Sequence, residues 1–300
     1  MQTILLTGAD GQLGRELSAL LQAGTMDPWT VPPRFAGARV VGVDIDTLDI
    51  TDAGAVGRAL GEIRPDAVIN CAGMTNVDAC ETQREAAFRA NALGPMHLAR
   101  ACADTGAALL HLSTDYVFCG EASAPYAEWD APAPRTVYGQ SKLLGEAYVR
   151  AQCPRSFVVR TAWLYGRHGA NFVRTIARAA REKGELSVVN DQRGSPTNAL
   201  DLAYHLLKIL DGGAYGLYHV TGGGECSWYE FAREILRLSG IPCALRPCTT
   251  AEFPRPALRP AYSVLDRLAL RCTVGDEMRD WREALASFFA TETQKECIQK

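Results

Sequence analysis

Apolar positions along the first 160 residues fall into two alternating patterns. Short, nearly continuous apolar runs (QTILLT at 2–7, ARVVGVD ending at Asp44, then DAVINCA, ALLHLST and FVVRT) read as buried strands. Between the runs, apolar residues recur at helical spacing. Leu13, Leu17, Leu20 and Leu21 sit at i, i+4, i+7 and i+8 within 12–23, the stripe of an amphipathic helix. Further helices are expected over about 52–63, about 84–104 and from about Tyr138 to Gln152. Strands apolar throughout and separated by helices imply a parallel sheet covered on both faces. The expected fold class is therefore α/β, a doubly wound parallel sheet of the Rossmann type.

After Thr161 the alternation becomes irregular. Helices near 171–183 and 198–210 flank a short strand, LSVV, and precede YGLYHV. WYEFAREILRLSG places Trp228, Phe231, Ile235 and Leu238 on one helical face. The stretch 242–260 is too rich in proline for a helix or a central strand. This half reads as a smaller mixed C-terminal lobe over the carboxyl ends of the strands, where open α/β sheets bind ligands. The expected division is 1–162 plus about 197–221 for a dinucleotide-binding domain, with about 163–196 and 222–300 for a substrate-binding lobe.

Composition narrows the partners. Charged residues make up 22% of the chain and the formal net charge is −3, so no global field recruits nucleic acid or an acidic membrane. No apolar run approaches the ~18 residues of a membrane span, and MQTILLTGAD lacks the basic start of an export signal. Ten cysteines are scattered without a CxxC pair. Reduced, structural thiols in a cytoplasmic protein are the expectation. The five histidines, His97, His111, His168, His205 and His219, show no ligand spacing, so no metal site is indicated.

The first strand runs directly into GADGQLG, with Gly8, Gly11 and Gly14 three residues apart. Glycines there let the chain turn sharply, approach a pyrophosphate and pack a helix against the strand. The helix N-terminus adds free N–H groups and a positive dipole end. Asp44 ends the second strand, where a carboxylate accepts hydrogen bonds from the adenosine ribose and repels the extra phosphate of NADP. Its distance from the glycines exceeds the usual ~20 residues, and the insertion GTMDPWTVPPRFAGA accounts for the excess. The cofactor is expected to be NADPH or NADH, with Asp44 favouring NADH. Expected contacts are Gly8, Asp10, Gly11, Gln12, Leu13, Gly14, Asp44, Cys71, Ala72, Gly73, Asn91, Tyr138 and Lys142.

Tyr138 and Lys142 in YGQSK lie four residues apart, on one face of a helix. An ammonium beside a phenol lowers its pKa towards a value suited to proton transfer. Ser113-Thr114 ends the preceding strand, at the sheet edge where a carbonyl can be held. Thr114, Tyr138 and Lys142 are the expected catalytic set.

These motifs, with STDYVF at 113–118, resemble an extended short-chain dehydrogenase/reductase. GADGQLGREL, DITD at 49–52, TNVDACE at 75–81 and NFVRTI at 171–176 are similar to the dTDP-4-dehydrorhamnose reductase family. So are DQRGSPT at 191–197, YHVTGGGECSWYEFA at 218–232 and RPAYSVLD at 259–266. The resemblance implies reduction of the 4-keto group of dTDP-4-dehydro-L-rhamnose to dTDP-L-rhamnose. Thr114 would then bond the sugar carbonyl, Tyr138 would donate the proton, and Lys142 would tune Tyr138 and bind ribose. Asp115 would flank the substrate and Trp163 would shape the sugar pocket. The diphosphate of such a dTDP-linked 4-keto-6-deoxy sugar suits guanidinium forks, and Arg255 and Arg259 lie in FPRPALRP.

Other readings stay open. A nucleotide-sugar epimerase or dehydratase has the same scaffold, although Thr114-Asp115-Tyr116 lacks a dehydratase's usual Asp-Glu pair. The regulatory subunit of methionine adenosyltransferase also resembles this family and acts by binding a partner enzyme. Cys119 stands where the family usually has an acidic residue, and Tyr262 where it often has Asn, so contacts to nucleotide or sugar differ if Tyr262 faces the site. A monomer and a homodimer are equally compatible with the sequence.

Overall fold

The computed structural model describes residues 1–298, with side chains described through Thr291. Its centre is a six-stranded sheet, all parallel: β1 (Thr3–Thr7), β2 (Arg39–Val43), β3 (Ala67–Asn70), β4 (Ala108–Thr114), β5 (Ser156–Thr161) and β6 (Gly216–His219). The order across the sheet is β6-β5-β4-β3-β1-β2. β1 pairs with β2 on one side and β3 on the other, so Thr7 lies between Val43 and Asn70. The chain reverses its direction of travel across the sheet at β1/β3, and a crevice opens there beyond the carboxyl ends of the strands.

Helices cover both faces. α1 (Gln12–Ala23) and α6 (Ala199–Gly212) lie on one. There Leu13, Leu17, Leu20 and Leu21 join Leu202, Leu206 and Leu210 in a core with Ile4, Leu6 and Ile69. α2 (Ala53–Ile63), α3 (Gly94–Thr105) and α4 (Val137–Gln152) lie on the other. They bury Val56, Leu60, Leu98, Cys102 and Val149 against Leu5, Val68, Leu109 and Val158. Every residue of β4 is buried, which is why its sequence shows no alternation.

One sequence expectation changes in detail. The helix expected over about 84–104 is interrupted by a π-helical turn at Arg89–Leu93. Such turns occur where a side chain has local work, and Asn91 sits in this one. The insertion after α1 forms a small hairpin, Thr25–Met26 with Trp29–Thr30. Trp29 stacks on Tyr204 with ring centroids 4.3 Å apart, and its Nε1 donates to Asp201 at 2.7 Å. The extra residues therefore dock on α6 and leave the β1–α1 turn undisturbed.

A second core lies beyond the sheet. α5 (Phe172–Lys183), α7 (Trp228–Ser239) and α8 (Trp281–Ile298) contribute Val173, Ile176, Phe231, Ile235, Trp281 and Leu285. Ser227 and Glu230 form a reciprocal capping box at the start of α7. Glu185–Val189 and Ala244–Cys248 make a two-stranded parallel sheet with Pro247 opposite Val188. With two strands only, both are edges, the setting in which proline is tolerated. Leu270 and Met278 pack into the α1/α6 core, so part of the C-terminal segment returns to the first lobe.

Candidate active site

A cleft of about 1500 Å³ runs from the β1–α1 turn past the ends of β3, β4 and β5 to the second core. At its first end the backbone itself makes the surface. Gly8 has φ +66°, and a Cβ there would lie 2.6 Å from the Ala72 nitrogen. A Cβ on Gly14 would lie 2.2 Å from the Gly8 carbonyl oxygen. Neither position accepts a side chain, so the turn and the α1 N-terminus stay open to a phosphate-bearing ligand. Asp10, Gly11, Gln12 and Leu13 complete this end of the cleft. Asp44 reaches it despite the insertion, its Oδ2 accepting the Asp10 N–H at 2.9 Å.

Cys71, Ala72 and Gly73 continue the wall; burial pushes the Cys71 thiol up to about 12. Asn91 departs from its expected place. It is fully buried and is not part of the cleft surface. Its Oδ1 accepts the Met74 N–H at 2.8 Å, and its Nδ2 donates to the Met74 carbonyl at 3.0 Å and to Ser141 at 3.1 Å. Asn91 thus ties the segment after β3 to α4 from behind, with all its polar atoms consumed by protein.

Thr114, Asp115, Tyr138 and Lys142 converge at the middle of the cleft. Thr136 caps α4 by accepting the Gly139 N–H at 3.0 Å, which fixes the first turn and with it Tyr138. A Cβ on Gly139 would lie 2.1 Å from the Tyr116 carbonyl oxygen, so the helix docks directly on the loop after β4. The Tyr116 and Tyr138 rings meet edge to face, 5.5 Å apart. Lys142 is 5% exposed and its Nζ donates to the Leu112 carbonyl at 2.5 Å.

The electrostatics differ from the sequence expectation. Burial pushes the Tyr138 phenol above its ordinary value, with Thr114 beside it opposing that shift. Lys142 is lowered to about 8 by burial, with the Glu146 carboxylate opposing. The ammonium is engaged with Leu112, and desolvation dominates at the phenol. A phenol held neutral is the form that can donate a proton. The buried Asp115 carboxyl is raised to about 6 by the same cause.

Trp163 lines the cleft. Its φ is +48°, a strained conformation for a bulky residue. The indole is stacked on Trp228, with centroids 3.4 Å apart and planes at 7°. A Cβ on Gly194 would lie 2.5 Å from the same ring. The stacked Trp228 ring and the close approach of Gly194 hold the indole in place.

Arg255 and Arg259 line the far end. Arg259 is ion-paired to Asp78 at 2.9 Å, and Asp78 also accepts the Ala257 N–H at 3.1 Å. Arg255 lies over the Phe253 ring at 4.7 Å. Tyr262 is not at the cleft surface; its hydroxyl donates to Glu225 at 2.8 Å. Cys119 contacts the Tyr126 hydroxyl at 3.3 Å. Neither of these two residues lines the cleft.

Several residues at or behind the site were not read from sequence. Periodicity places Trp228 on a helical face, but nothing local ties Trp228 or Asp78 to the site, because their partners Trp163 and Arg259 are distant in the chain. Glu146 was visible in principle, four residues after Lys142 on the same helix face. It is buried, accepts from Ser113 at 2.5 Å and binds the Arg160 fork at 2.7 and 2.9 Å. Among the described residues no group of three or more His, Cys, Asp and Glu could hold a metal ion.

The family described as "RmlD substrate binding domain" matches residues 1–294. A dTDP-4-dehydrorhamnose reductase of Streptomyces griseus is 44% identical over 292 residues, covering 95% of this chain and 92% of that protein. This chain belongs to the dTDP-4-dehydrorhamnose reductase family. A solved reductase of that name from Clostridium acetobutylicum superposes with a TM-score of 0.90 at 45% identity, over 97% of this chain and 99% of that one. One from Bacillus anthracis, in complex with NADP, superposes with a TM-score of 0.90 at 39% identity and the same coverage.

Proposed function

We propose that this chain reduces the 4-keto group of dTDP-4-dehydro-L-rhamnose to give dTDP-L-rhamnose, using NADPH or NADH. The observation that carries the reading is the convergence of Thr114, Tyr138 and Lys142 on a cleft that begins at the Gly8–Gly14 turn. The bound nicotinamide supplies hydride. Gly8, Gly11, Gly14 and the α1 N-terminus hold the pyrophosphate, with Asp10, Gln12 and Leu13 beside it. Asp44 accepts from the adenosine ribose, and its charge favours NADH. Cys71, Ala72 and Gly73 support the dinucleotide along β3, and Asn91 holds that segment in place.

Thr114 and Tyr138 orient the sugar carbonyl. Tyr138, neutral because it is buried, gives its hydroxyl proton to the carbonyl oxygen as the carbon is reduced. The Lys142 ammonium stabilises the phenolate left behind and binds ribose. Trp163 and Asp115 shape the sugar pocket, and Arg255 and Arg259 bind the diphosphate. On the division into a dinucleotide-binding part, 1–162 with about 197–221, and a substrate lobe, the sugar nucleotide is bound from both: Thr114 and Asp115 belong to the first, Trp163, Arg255 and Arg259 to the second. The nine described cysteines are all unpaired and no described helix is long and apolar enough to cross a membrane, which supports a cytoplasmic location. A monomer or homodimer both leave the cleft complete within one chain.

The test is to generate the dTDP-4-keto-6-deoxy sugar enzymatically and follow NADPH and NADH absorbance. Oxidation of either coenzyme with formation of dTDP-L-rhamnose is the expected result. No oxidation of either refutes the reading. An epimerase would interconvert sugars without net coenzyme consumption, and a regulatory subunit would leave both coenzymes unchanged.

A further inference from the structure

A threonine hydroxyl carries one proton. In this structure the Thr114 proton is given to Asp115 Oδ1 over 2.8 Å, while the Tyr116 N–H donates to the Thr114 oxygen at 3.3 Å. A hydrogen bond to an ionised carboxylate is of the strong, charge-assisted kind. Thr114 engaged in this way has no proton left for a sugar carbonyl. The residue expected to polarise the carbonyl is therefore occupied by its own neighbour.

The neighbour is placed where its charge is costly. Asp115 is 3% exposed and its second oxygen, Oδ2, is buried without a hydrogen-bond partner. Ser263, brought in from the C-terminal segment, approaches it and favours the charged form less than burial disfavours it, and its hydroxyl too is buried without a bond of normal geometry. A buried carboxylate with one oxygen unserved gains by taking up a proton. Protonation on either oxygen makes Oδ1 a weaker acceptor or turns it into a donor, and the Thr114 proton is released towards the cleft.

We propose that Asp115 is a positioning residue whose protonation state decides whether the Thr114 hydroxyl can donate to the carbonyl oxygen of the substrate. The proposal rests on the carbonyl-reductase reading of the site and adds a control element to it. Groups facing Asp115 are the Thr114 hydroxyl and the Tyr116 phenol on its own segment, Tyr138 from α4, and Ser263. Arg259 and Asp78 act on Tyr116, and Cys80 acts on Tyr138. The Lys142 ammonium on α4 is held by the Leu112 carbonyl. Burial places the Asp115 carboxyl at about 6, so it gains its proton as pH falls through that value.

The experiment is kcat/KM for the dTDP-4-keto sugar against pH, for the wild type and Asp115→Asn, with NADPH affinity measured in parallel by fluorescence. Asn cannot ionise, and its amide can donate to Thr114 Oγ1 as a protonated Asp would. The wild type is expected to lose about tenfold in kcat/KM between pH ~5.5 and ~7.5. Asp115→Asn is expected to be flat over that range, with NADPH affinity unchanged. The same limb in both proteins, no limb in either, or an Asn variant inactive at every pH while binding NADPH normally overturns the proposal. A second readout is an infrared difference titration of the wild type against Asp115→Asn. A protonated-carboxyl band lost as pH rises through about 6 supports the proposal, and its absence overturns it. Absence of any NAD(P)H oxidation by the wild type refutes the reductase reading instead, which separates the two failures.

Discussion

The two ends of the cleft are built by different means. At the glycine turn the surface is backbone, packed so closely that a Cβ at Gly14 would lie 2.2 Å from the Gly8 carbonyl oxygen. At the FPRPALRP loop the surface is side chain: Arg255 stands over an exposed phenyl ring and Arg259 is held by Asp78. Backbone geometry at the first end leaves almost no adjustment. The second end keeps long, rotatable cations whose aim is set by partners elsewhere in the chain. A dinucleotide common to many enzymes suits the first design, and a substrate particular to one reaction suits the second. Between them stands the Thr114–Tyr138–Lys142 group, with α4 docked on the loop after β4 and Trp163 also lining the cleft.

The comparison can be tested at four points. Tyr138→Phe should lower kcat by about 10²–10⁴-fold while leaving NADPH affinity within about twofold, measured by stopped-flow absorbance and fluorescence titration. Retention of near-full kcat would break the proposed separation of proton donation from coenzyme binding. Gly14→Val should weaken NADPH by about 100-fold and lower stability by about 1–3 kcal/mol, because the backbone must move to admit the side chain; calorimetry and thermal melts report both. Normal binding by that variant would show the turn to be adjustable after all. Arg259→Ala should raise KM for the nucleotide sugar by about tenfold with coenzyme affinity unchanged. Its stability cost should stay below about 1 kcal/mol, since the Asp78 pair is partly exposed. The smallest effect is expected from Asp44→Ala, which should shift the ratio of NADPH to NADH affinity about fivefold towards NADPH. No shift would mean that Asp44, already accepting the Asp10 and Ile45 N–H groups, is structural.

Legibility in the sequence followed the same division. The glycines could be read because only glycine fits where a chain turns at positive φ or touches another backbone. The Leu13–Leu21 stripe could be read because its period is local. Tyr138 and Lys142 could be read because four residues on a helix is a fixed distance. Asn91 is the opposite case: a polar residue beside a predicted site looks the same in sequence whether it faces the ligand or the segment behind it. The π turn at Arg89–Leu93, which directs Asn91 to Met74, has no signature in hydrophobic spacing. Tyr262 is not among the residues that line the cleft, and its hydroxyl meets Glu225, a partner 37 positions away that no local pattern announces.

The sequence by itself determined the alternation of strands and helices, the coenzyme turn and the phenol–ammonium pair, each a property of residues close in the chain. Tertiary structure decided what those groups experience. Burial, which depends on α4 docking against the loop after β4, holds Tyr138 neutral and brings Lys142 down to about 8. The stacked Trp228 ring and the close approach of Gly194 hold the Trp163 indole in place. The pairing of Arg259 with Asp78 joins residues 181 positions apart. Local spacing names the groups that carry out a reaction, but their charge states and directions come from neighbours that only folding supplies.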